Sequence, residues 1–347
     1  MINMDCPLEE KNFETIQLAH GGGGRMSQKL IERLFYPEFS NPYLNQQHDG
    51  AVIPIVEGEI AYTTDSYVVN PIFFNGGDIG DLAINGTVND LTCCGAVPKF
   101  LTSAFIIEEG FAVSDLKRIV ASMQKAAQKA EVCIVTGDTK VVDKGKCDKI
   151  FINTSGIGII PKGIKIHPSM IKKGDAVIIT GAIAEHGITI LSERGNINFE
   201  SDLKSDTASL NKMIQYLLKE IPQVHLMRDP TRGGISSTLN EIAEAASLKI
   251  LLEEEAIPVK ESVLAACDLL GLDPLYVANE GVMSIFLPKN KTERALEILH
   301  YFEEGKNASL IGYVLDSNCV PQVIVRNKFG TMRVVEMLSG EQLPRIC

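Results

Sequence analysis

The 347-residue sequence has no apolar run close to the roughly 20 residues that a membrane-spanning helix needs. Its amino terminus, Met1 to Pro7, also lacks the basic region followed by an apolar stretch that directs secretion. Hydrophobic residues make up 45% and charged residues 22% of the chain, which is ordinary for soluble proteins. We therefore expect a soluble protein that is located in the cytoplasm and has no membrane partner.

Paired metal-binding cysteines are absent as well. The sequence contains eight cysteines, but none form a Cys-x-x-Cys pair. In a reducing cytosol isolated cysteines are mostly buried thiols, so neither a zinc site nor an iron–sulfur cluster is expected. The net charge is −11 and the sequence has no basic stripe, which argues against a nucleic-acid partner.

Two common phosphate-binding motifs are also missing. The pattern Gly-x-x-x-x-Gly-Lys-Ser/Thr does not occur, and no Gly-x-Gly-x-x-Gly opens a clear strand–helix–strand unit. A nucleotide site in this chain must therefore be built in another way.

The sequence has instead a set of short segments rich in glycine, aspartate or both. Glycine lets backbone N–H groups turn toward an anion, and carboxylates bind Mg²⁺ while leaving room for phosphate oxygens. The combination favours a nucleoside triphosphate with magnesium. The seven segments are Ala19–Arg25, His48–Val52, Thr63–Ser66, Gly76–Gly80, Val88–Leu91, Thr136–Lys140 and Asp229–Gly234.

Each segment alone also has a structural interpretation. The tetraglycine of residues 21–24 is typical of a hinge or linker. Residues 76–78 are typical of a turn in which Asp78 caps the next helix, and Asp229-Pro230 of a turn that opens a helix. Three histidines are interpreted as polar loop residues rather than as catalytic groups: His20, His186 and His225.

Local patterns predict several elements of secondary structure. Ser114 is expected to cap a helix whose apolar face includes Leu116, Ile119 and Met123. Buried-type strands are predicted over residues 150–160 and 175–181, helices over 234–246 and 262–270, and a hairpin from 320–325 and 331–337.

The chain ends in a thiol, because Cys347 closes the short polar segment 340–347. A terminal thiol on a flexible arm can enter a pocket, carry an acyl-like group on sulfur, and leave again. The segment is therefore a candidate substrate carrier, although a terminal cysteine also occurs by accident at disordered chain ends.

The order of the most specific segments resembles a known superfamily. These segments are Thr63–Val69, Gly86–Asp90, Val135–Val142, Ala278–Gly281 and Pro344–Cys347. They resemble the ATP-binding superfamily of aminoimidazole ribonucleotide synthetase, selenophosphate synthetase and thiamine-monophosphate kinase, and within it the hydrogenase maturation family HypE. The resemblance runs from Ile16 to Cys347, and the ending separates HypE from its relatives.

The resemblance implies an α+β, two-domain fold like that of aminoimidazole ribonucleotide synthetase. It implies a homodimer formed through a shared β-barrel, with ATP in the cleft between the domains and near the dimer interface. The expected organisation is an N-terminal extension (1–15), an ATP-binding and dimerisation domain (16–160), a C-terminal α/β domain (161–338) and a flexible tail (339–347).

The resemblance also implies an enzyme that acts on its own tail. In this family a HypF-type carbamoyltransferase loads a carbamoyl group onto the terminal cysteine, here Cys347. ATP with Mg²⁺ then drives dehydration of the S-carbamoyl group to a thiocyanate. The cyano group passes to the iron of a [NiFe]-hydrogenase precursor held by HypC and HypD.

Site residues are assigned by position in the matching motifs. The implied Mg²⁺ ligands are Asp49, Asp90 and Asp229, with Asp138 as a possible fourth. The implied nucleotide contacts are Asp65, Gly76, Gly77, Asp78, Asn89, Asp138, Thr139 and Lys140. The implied catalytic residues are Cys347, Glu280 as the group that positions or deprotonates the carbamoyl nitrogen, its neighbour Asn279, and Arg232.

Two alternatives stay open at this point. A small-molecule kinase or synthetase of the same superfamily would act on a free substrate without Cys347. A nucleotide-dependent scaffold would bind ATP but show no cysteine-dependent turnover. Selenophosphate synthesis is disfavoured, because Cys6 and Lys11 do not form the closely spaced reactive pair of those enzymes.

Overall fold

The computed structural model describes residues 14–22, 24–46, 50–54, 57–195, 203–315 and 320–338. The predictions made for Cys6, Asp49, Cys347 and the tail 339–347 therefore lie outside the described residues. None of the described helices combines the length and the apolar character needed to cross a membrane.

The N-terminal half contains a four-stranded sheet with the order β1-β6-β4-β5. Its strands are β1 (Glu59–Tyr67), β4 (Val97–Glu108), β5 (Cys133–Val142) and β6 (Ile150–Ile160), and a small hairpin joins β2 (Phe73–Phe74) to β3 (Gly77–Asp78). β4 and β5 are parallel, and the other neighbours are antiparallel. The strand predicted over 150–160 is confirmed.

Two long helices cover one face of this sheet, α3 (Ile79–Cys93) and α4 (Val113–Ala130). They follow the short segments α1 (Arg25–Leu30), a π-helical turn (Ile31–Phe35) and α2 (Tyr36–Phe39). Asp78 caps α3 as predicted, since its carboxylate accepts hydrogen bonds from the backbone of Gly80 and Asp81. The prediction for Ser114 is wrong: the cap of α4 is Ala112, because the helix begins at Val113, whose N–H donates to the carbonyl of Glu14.

The opposite face of the sheet carries exposed apolar side chains. Ile60 is 63%, Tyr62 67% and Ile106 43% exposed, and all three point away from α3 and α4. β1 and β5 are the two edges of the sheet, so the described residues contain no closed barrel. Ile60 and Tyr62 lie at one end of this face and Ile106 toward the other, with polar side chains such as Thr64 and Asn153 between them.

The C-terminal half is a seven-stranded sheet with helices on both faces. Its order is β13-β12-β9-β11-β7-β10-β8, with only β12 and β9 parallel. Helices α5, α7 and α8 pack on one face, and α6 and α9 on the other. The elements are β7 (Ala176–Ile179), α5 (Glu185–Gly195), α6 (Asn211–Glu220), β8 (Leu226–Arg228), α7 (Gly234–Ala246), β9 (Lys249–Glu253), α8 (Glu261–Leu270), β10 (Ser284–Leu287), α9 (Thr292–His300), β11 (Ser309–Leu315), β12 (Gln322–Arg326) and β13 (Met332–Val335).

Most local predictions for this half are confirmed. Helix α7 has the predicted bounds, α8 begins one residue earlier than predicted, and β12 and β13 form the predicted antiparallel hairpin. The prediction that the three histidines are polar loop residues is wrong for His20, which lies in a 3₁₀ turn (Leu18–Gly21), and for His186, which lies in α5; all three side chains are buried. Each side chain hydrogen-bonds a polar group, either in the adjacent turn or in a distant part of the chain. For example, His225 Nδ1 lies 2.7 Å from Asp175 Oδ2.

Residues 203–210 belong to the C-terminal half and contact the N-terminal half. We call this contact region the domain seam. Asn75 donates to the carbonyl of Leu203 at 2.5 Å, and the side chain of Asn85 lies 3.3 Å from Thr207. Asp81 on α3 also hydrogen-bonds Thr207. Burial, and next the negative charge of Asp78, raises the pKa of Asp81 to about 6. The seam therefore contains a carboxylate that is costly to ionise in the folded state.

We predict that Asp81→Asn raises the free energy of unfolding at pH 7.5 by about 1–2 kcal/mol, after discounting for partial exposure. The pKa of Asp81 is higher in the folded than in the unfolded chain, so the wild type itself gains stability as the pH falls from 7 to 4. The advantage of the variant must shrink over the same range. Urea unfolding at pH 7.5 and pH 4.5 measures both values, and an advantage that is constant with pH contradicts the assignment.

Candidate active site

The predicted site residues fall into two groups at opposite edges of the N-terminal sheet. Asp65 lies on edge strand β1, and Asp138 to Lys140 lie on edge strand β5. The register places them at one level, because Asp65, Thr154, Ser103 and Gly137 are successive partners across the four strands. Three strand spacings separate the edges, which is roughly 14 Å.

The β5 group lines a cavity of about 640 Å³. Its lining includes polar groups, among them His20 to Gly22, Gly50 and Thr136 to Lys140. It also includes the aromatic residues Phe35, Phe39, Tyr43 and Phe105. A cavity of this size with aromatic and polar lining residues suits a nucleotide, whose base is flat and whose phosphates are charged.

Two buried polar side chains face this cavity. Ser103 is 2% exposed, and among the described residues its Oγ has no hydrogen-bond partner. His20 is 1% exposed, and its Nδ1 accepts a hydrogen bond from the N–H of Gln17 at 2.9 Å. Burial lowers the pKa of His20, so its imidazole is neutral at pH 7. A buried hydroxyl without a partner indicates that a ligand atom completes the site.

The second group is acidic and lies where α3 meets β8. Asp90 accepts a hydrogen bond from Thr63 Oγ1 at 2.8 Å, and Cys93 Sγ lies 3.6 Å from Asp229 Oδ1. Burial, and next the charge of Asp229, raises the pKa of Asp90 to about 7. Burial also raises the pKa of Asp229, and the charge of Asp65 adds to the rise of both. Mutual repulsion of this kind favours a bound cation.

The donor set fits Mg²⁺ better than a metal held by protein side chains alone. Within the described ranges no three His, Cys, Asp or Glu side chains are grouped closely enough to hold a metal ion. Mg²⁺ normally uses one or two carboxylates and completes its shell with water and substrate phosphates. The neighbouring carboxylates of Asp90 and Asp229 meet that requirement.

Glu280 lies in the same region and is buried. It is 6% exposed, and its charge, with those of Asp65 and Asp90, helps to raise the pKa of the buried Tyr67, after burial itself. The backbone of Glu280 is held on both sides. Its N–H donates to the carboxylate of Asp206 at 3.2 Å, and its carbonyl accepts from Asn89 Nδ2 at 3.2 Å.

The side chain of Asn279, for which a catalytic role is predicted, hydrogen-bonds backbone groups through both of its polar atoms. It is 1% exposed, and its Oδ1 accepts from the N–H of Ala184 at 2.7 Å. Its Nδ2 donates to the carbonyls of Pro230 and Val277 at 2.8 and 3.2 Å. Ala184 has a left-handed backbone (φ 71°), which is strained for alanine. Asn279 therefore ties three loops together and fixes the position of Glu280.

The predicted nucleotide contacts Gly76, Gly77, Asp78 and Asn89 also have structural tasks. Asn89 uses Oδ1 to accept from the N–H of Leu210 and Nδ2 to donate to the carbonyls of Ala208 and Glu280. Asp78 caps α3 and accepts from Ser122 Oγ. A side chain on Gly76 or Gly77 would meet residues 205–207 at about 2.9 Å. Gly76, Gly77 and Asn89 therefore contact the C-terminal half, Asp78 joins α3 to α4, and none of the four lines the cavity.

The described chain ends beside the loop that carries Asp229. Arg232 is exposed in this loop. Ser236 Oγ donates to the carbonyl of Glu336 at 2.7 Å, and Asn240 Nδ2 donates to the carbonyl of Val335 at 2.9 Å. A β-carbon on Gly233 would lie 3.9 Å from Cβ of Leu338. The last described residues therefore pack against α7 and against Gly233, in the loop that carries Asp229.

Both halves of the chain match domain models of one family. Residues 47–160 match the N-terminal domain, and residues 172–323 the C-terminal domain, of AIR synthase related proteins. The carbamoyl dehydratase HypE of Cupriavidus necator is 47% identical over 342 residues, which cover 98% of this chain and 97% of that protein. The chain belongs to the HypE family.

Solved structures of HypE proteins agree with this assignment. A crystal structure of HypE in complex with ATP has a TM-score of 0.93 at 48% identity and covers 96% of this chain and 100% of that chain. The crystal structure of a HypE–HypF complex has a TM-score of 0.79 at 47% identity. The match covers 89% of this chain and 99% of that chain. Thiamine monophosphate kinase from Aquifex aeolicus, at 16% identity and a TM-score of 0.61, shares the fold alone.

Sequence reasoning missed several groups in this member of the HypE family. Asp206, Tyr67 and Ser103 lie outside the roles assigned from the motifs, although Tyr67 directly follows the aspartate segment 63–66. Nothing near Asp206 in the sequence signals its contact with residues 280 and 281, which are more than 70 positions away. Only the fold brings these residues together.

We predict that Gly281→Ala disrupts this region of the HypE fold. A β-carbon at 281 would lie 1.8 Å from the carbonyl oxygen of Asp206 and 3.2 Å from the N–H nitrogen of Ala208, so the backbone must move. We expect a loss of about 2–4 kcal/mol in the free energy of unfolding. Gly22→Ala is the control, because its β-carbon would meet only the Ala19 carbonyl at 3.7 Å. Equal unfolding free energies for the two variants in urea would contradict the packing.

Proposed function

We propose that this chain is an ATP-dependent carbamoyl dehydratase whose substrate is an S-carbamoyl group on its own Cys347. The observation that supports this most directly is the position of the chain end. Residues 335–338 are anchored against α7 and its preceding loop, beside Asp229. Nine residues, 339–347, then lead to the terminal cysteine and can span at most about 31 Å. Cys347 can therefore reach both the acidic group and Glu280.

The reaction converts R–S–C(=O)–NH₂ and ATP into R–S–C≡N, ADP, phosphate and a proton. The carboxamide oxygen attacks the γ-phosphorus, and the bond from that phosphorus to ADP breaks. Removal of both N–H protons then forms the nitrile as the C–O bond breaks and phosphate leaves. Phosphorylation is needed because the carboxamide oxygen is otherwise a poor leaving group.

We assign the cavity beside β5 to ATP. Lys140 supplies positive charge to the phosphates, Asp138 and Thr139 line the same cavity, and Ser103 contacts the nucleotide from the buried side. Asp90 and Asp229 would hold Mg²⁺, with Asp49 completing the set implied by the family. Bound Mg²⁺ would neutralise charge that develops on the transferred phosphoryl group.

Glu280 is assigned as the base that removes the carbamoyl protons. It is 6% exposed, and its charge acts on Tyr67 together with those of Asp65 and Asp90, so it belongs to the same acidic region. Arg232, exposed on the loop beside the chain end, is assigned to the phosphate or the incoming tail.

We propose a homodimer in which each active site uses two chains. The nucleotide cavity and the acidic group must act on one γ-phosphate, yet they lie at opposite edges of a single sheet. Two four-stranded sheets joined edge to edge form an eight-stranded barrel, whose interior side chains just fill. The exposed Ile60, Tyr62 and Ile106 would occupy that interior. Strand β1 of one chain then lies beside β5 of the other.

The proposed domain limits follow from these assignments: 16–160 for nucleotide binding and dimerisation, 161–338 for the C-terminal domain, and 339–347 for the carrier arm. The solved complex of HypE with HypF supports a HypF-type carbamoyltransferase as the loading partner. A HypC–HypD complex is proposed as the acceptor of the cyano group.

We predict that the dehydration can be followed through the mass of the adduct on Cys347. Incubation with a HypF-type carbamoyltransferase, carbamoyl phosphate and ATP should give a carbamoyl adduct that loses one water, and only when ATP is hydrolysed. Cys347→Ser should remove the adduct while ATP still binds. Intact-mass spectrometry with a parallel phosphate assay makes both measurements. ATP turnover on a free substrate without Cys347 would support a small-molecule kinase, and ATP binding without any adduct would support a scaffold.

We predict complementation between two inactive variants, Asp90→Asn and Lys140→Ala. Each homodimer lacks one half of every site, whereas a mixed dimer retains one complete site if β1 and β5 come from different chains. Random reassociation should restore about a quarter of wild-type dehydration. A mixture of either variant with itself is the control, and no recovery in verified mixed dimers would place both halves of the site in one chain.

A further inference from the structure

Residues 279–281 are the part of the seam where both domains meet at the proposed base. The carbonyl of Glu280 accepts from Asn89 on α3, which belongs to the N-terminal half. The N–H groups of Glu280 and Gly281 both donate to the carboxylate of Asp206, at 3.1–3.2 Å. Three contacts from two sides therefore define the backbone from which the Glu280 side chain projects.

The carboxylate of Asp206 accepts these hydrogen bonds through both of its oxygens. Oδ2 accepts from both N–H groups, and Oδ1 accepts from that of Glu280, so the side chain is bidentate to two consecutive peptide groups. The carbonyl of Asp206 occupies the space where a side chain at 281 would stand. The side chain of Asp206 therefore contacts residues 280 and 281, and its backbone carbonyl packs against residue 281. Asp206 does not line the nucleotide cavity.

From this geometry we propose that Asp206 is a positioning residue of the dehydration step, which acts by holding the backbone of Glu280 in the orientation that proton removal requires. The inference rests on the proposed function of Glu280 as the base. Asparagine at 206 would keep one acceptor oxygen but would turn an NH₂ group toward a backbone N–H. The loop would then have to shift, and a shift of about 1 Å at a reacting group lowers a rate by roughly 100-fold.

The test is a double-mutant cycle on the full-length chain, carbamoylated on Cys347 before the assay. The first-order rate of carbamoyl loss after ATP addition is measured by intact mass for wild type, Asp206→Asn, Glu280→Gln and the double variant. We expect Asp206→Asn to lower this rate by about 10- to 100-fold, while the ATP concentration for half-maximal rate changes less than about threefold. In the Glu280→Gln background the second substitution should have no further effect.

Asp81→Asn is the matched control, because it removes a carboxylate from the same seam that contacts Thr207 rather than residues 280 and 281. It should leave the dehydration rate unchanged. Equal unfolding free energies for Asp206→Asn and wild type, within about 1 kcal/mol, would separate the rate effect from loss of fold.

The outcomes distinguish the two proposals. If Glu280→Gln reacts as fast as wild type, the role of Glu280 as the base is wrong. If Glu280→Gln is slow but Asp206→Asn slows the reaction by the same factor in both backgrounds, Asp206 acts independently of Glu280 and the positioning proposal is wrong. An Asp206→Asn variant that reacts at the wild-type rate would also contradict the positioning proposal.

Discussion

The domain seam depends on a requirement that applies to any folded chain, namely that buried polar groups must find hydrogen-bond partners. Asn89 supplies such partners across the two halves, because it bonds the backbone of Ala208, Leu210 and Glu280. Asn279 and Asp206 supply them for loops within the C-terminal half. Leaving one such group unsatisfied costs about 1–3 kcal/mol, so these contacts stabilise the loop that carries Glu280.

Local patterns in the sequence were sufficient for elements that depend on near neighbours. The bounds of α7 and of strand 150–160 were predictable because turn residues and apolar periodicity lie within the elements themselves. The cap at Asp78 was predictable for the same reason. The start of α4 was not, since the N–H of Val113 is satisfied by Glu14, almost one hundred positions earlier.

Motif matching assigned Asn89 to the nucleotide and Asn279 to catalysis, whereas the structure shows backbone hydrogen-bond partners for both side chains. The hydrogen-bond partners of Asn89 lie 119 and 191 positions away in the sequence, and those of Asn279 lie 95 and 49 positions away. No local sequence pattern reveals contacts at such separations. Asp206 was missed for the converse reason, because a single aspartate in a polar stretch carries no pattern. The three histidines were misplaced likewise, since burial depends on packing between distant elements.

The exposed face and open edges of the N-terminal sheet make the newly synthesised chain prone to aggregation. β4 and β6 are long and rich in branched apolar residues, and they lie in a sheet whose β1 and β5 edges still have backbone groups available for pairing. Such edges recruit any extended strand nearby, including those of unfolded neighbours. In the proposed homodimer each copy would cover the edges of the other, so assembly would compete with aggregation. Strong overproduction at high temperature would then favour inclusion bodies over the proposed dimer.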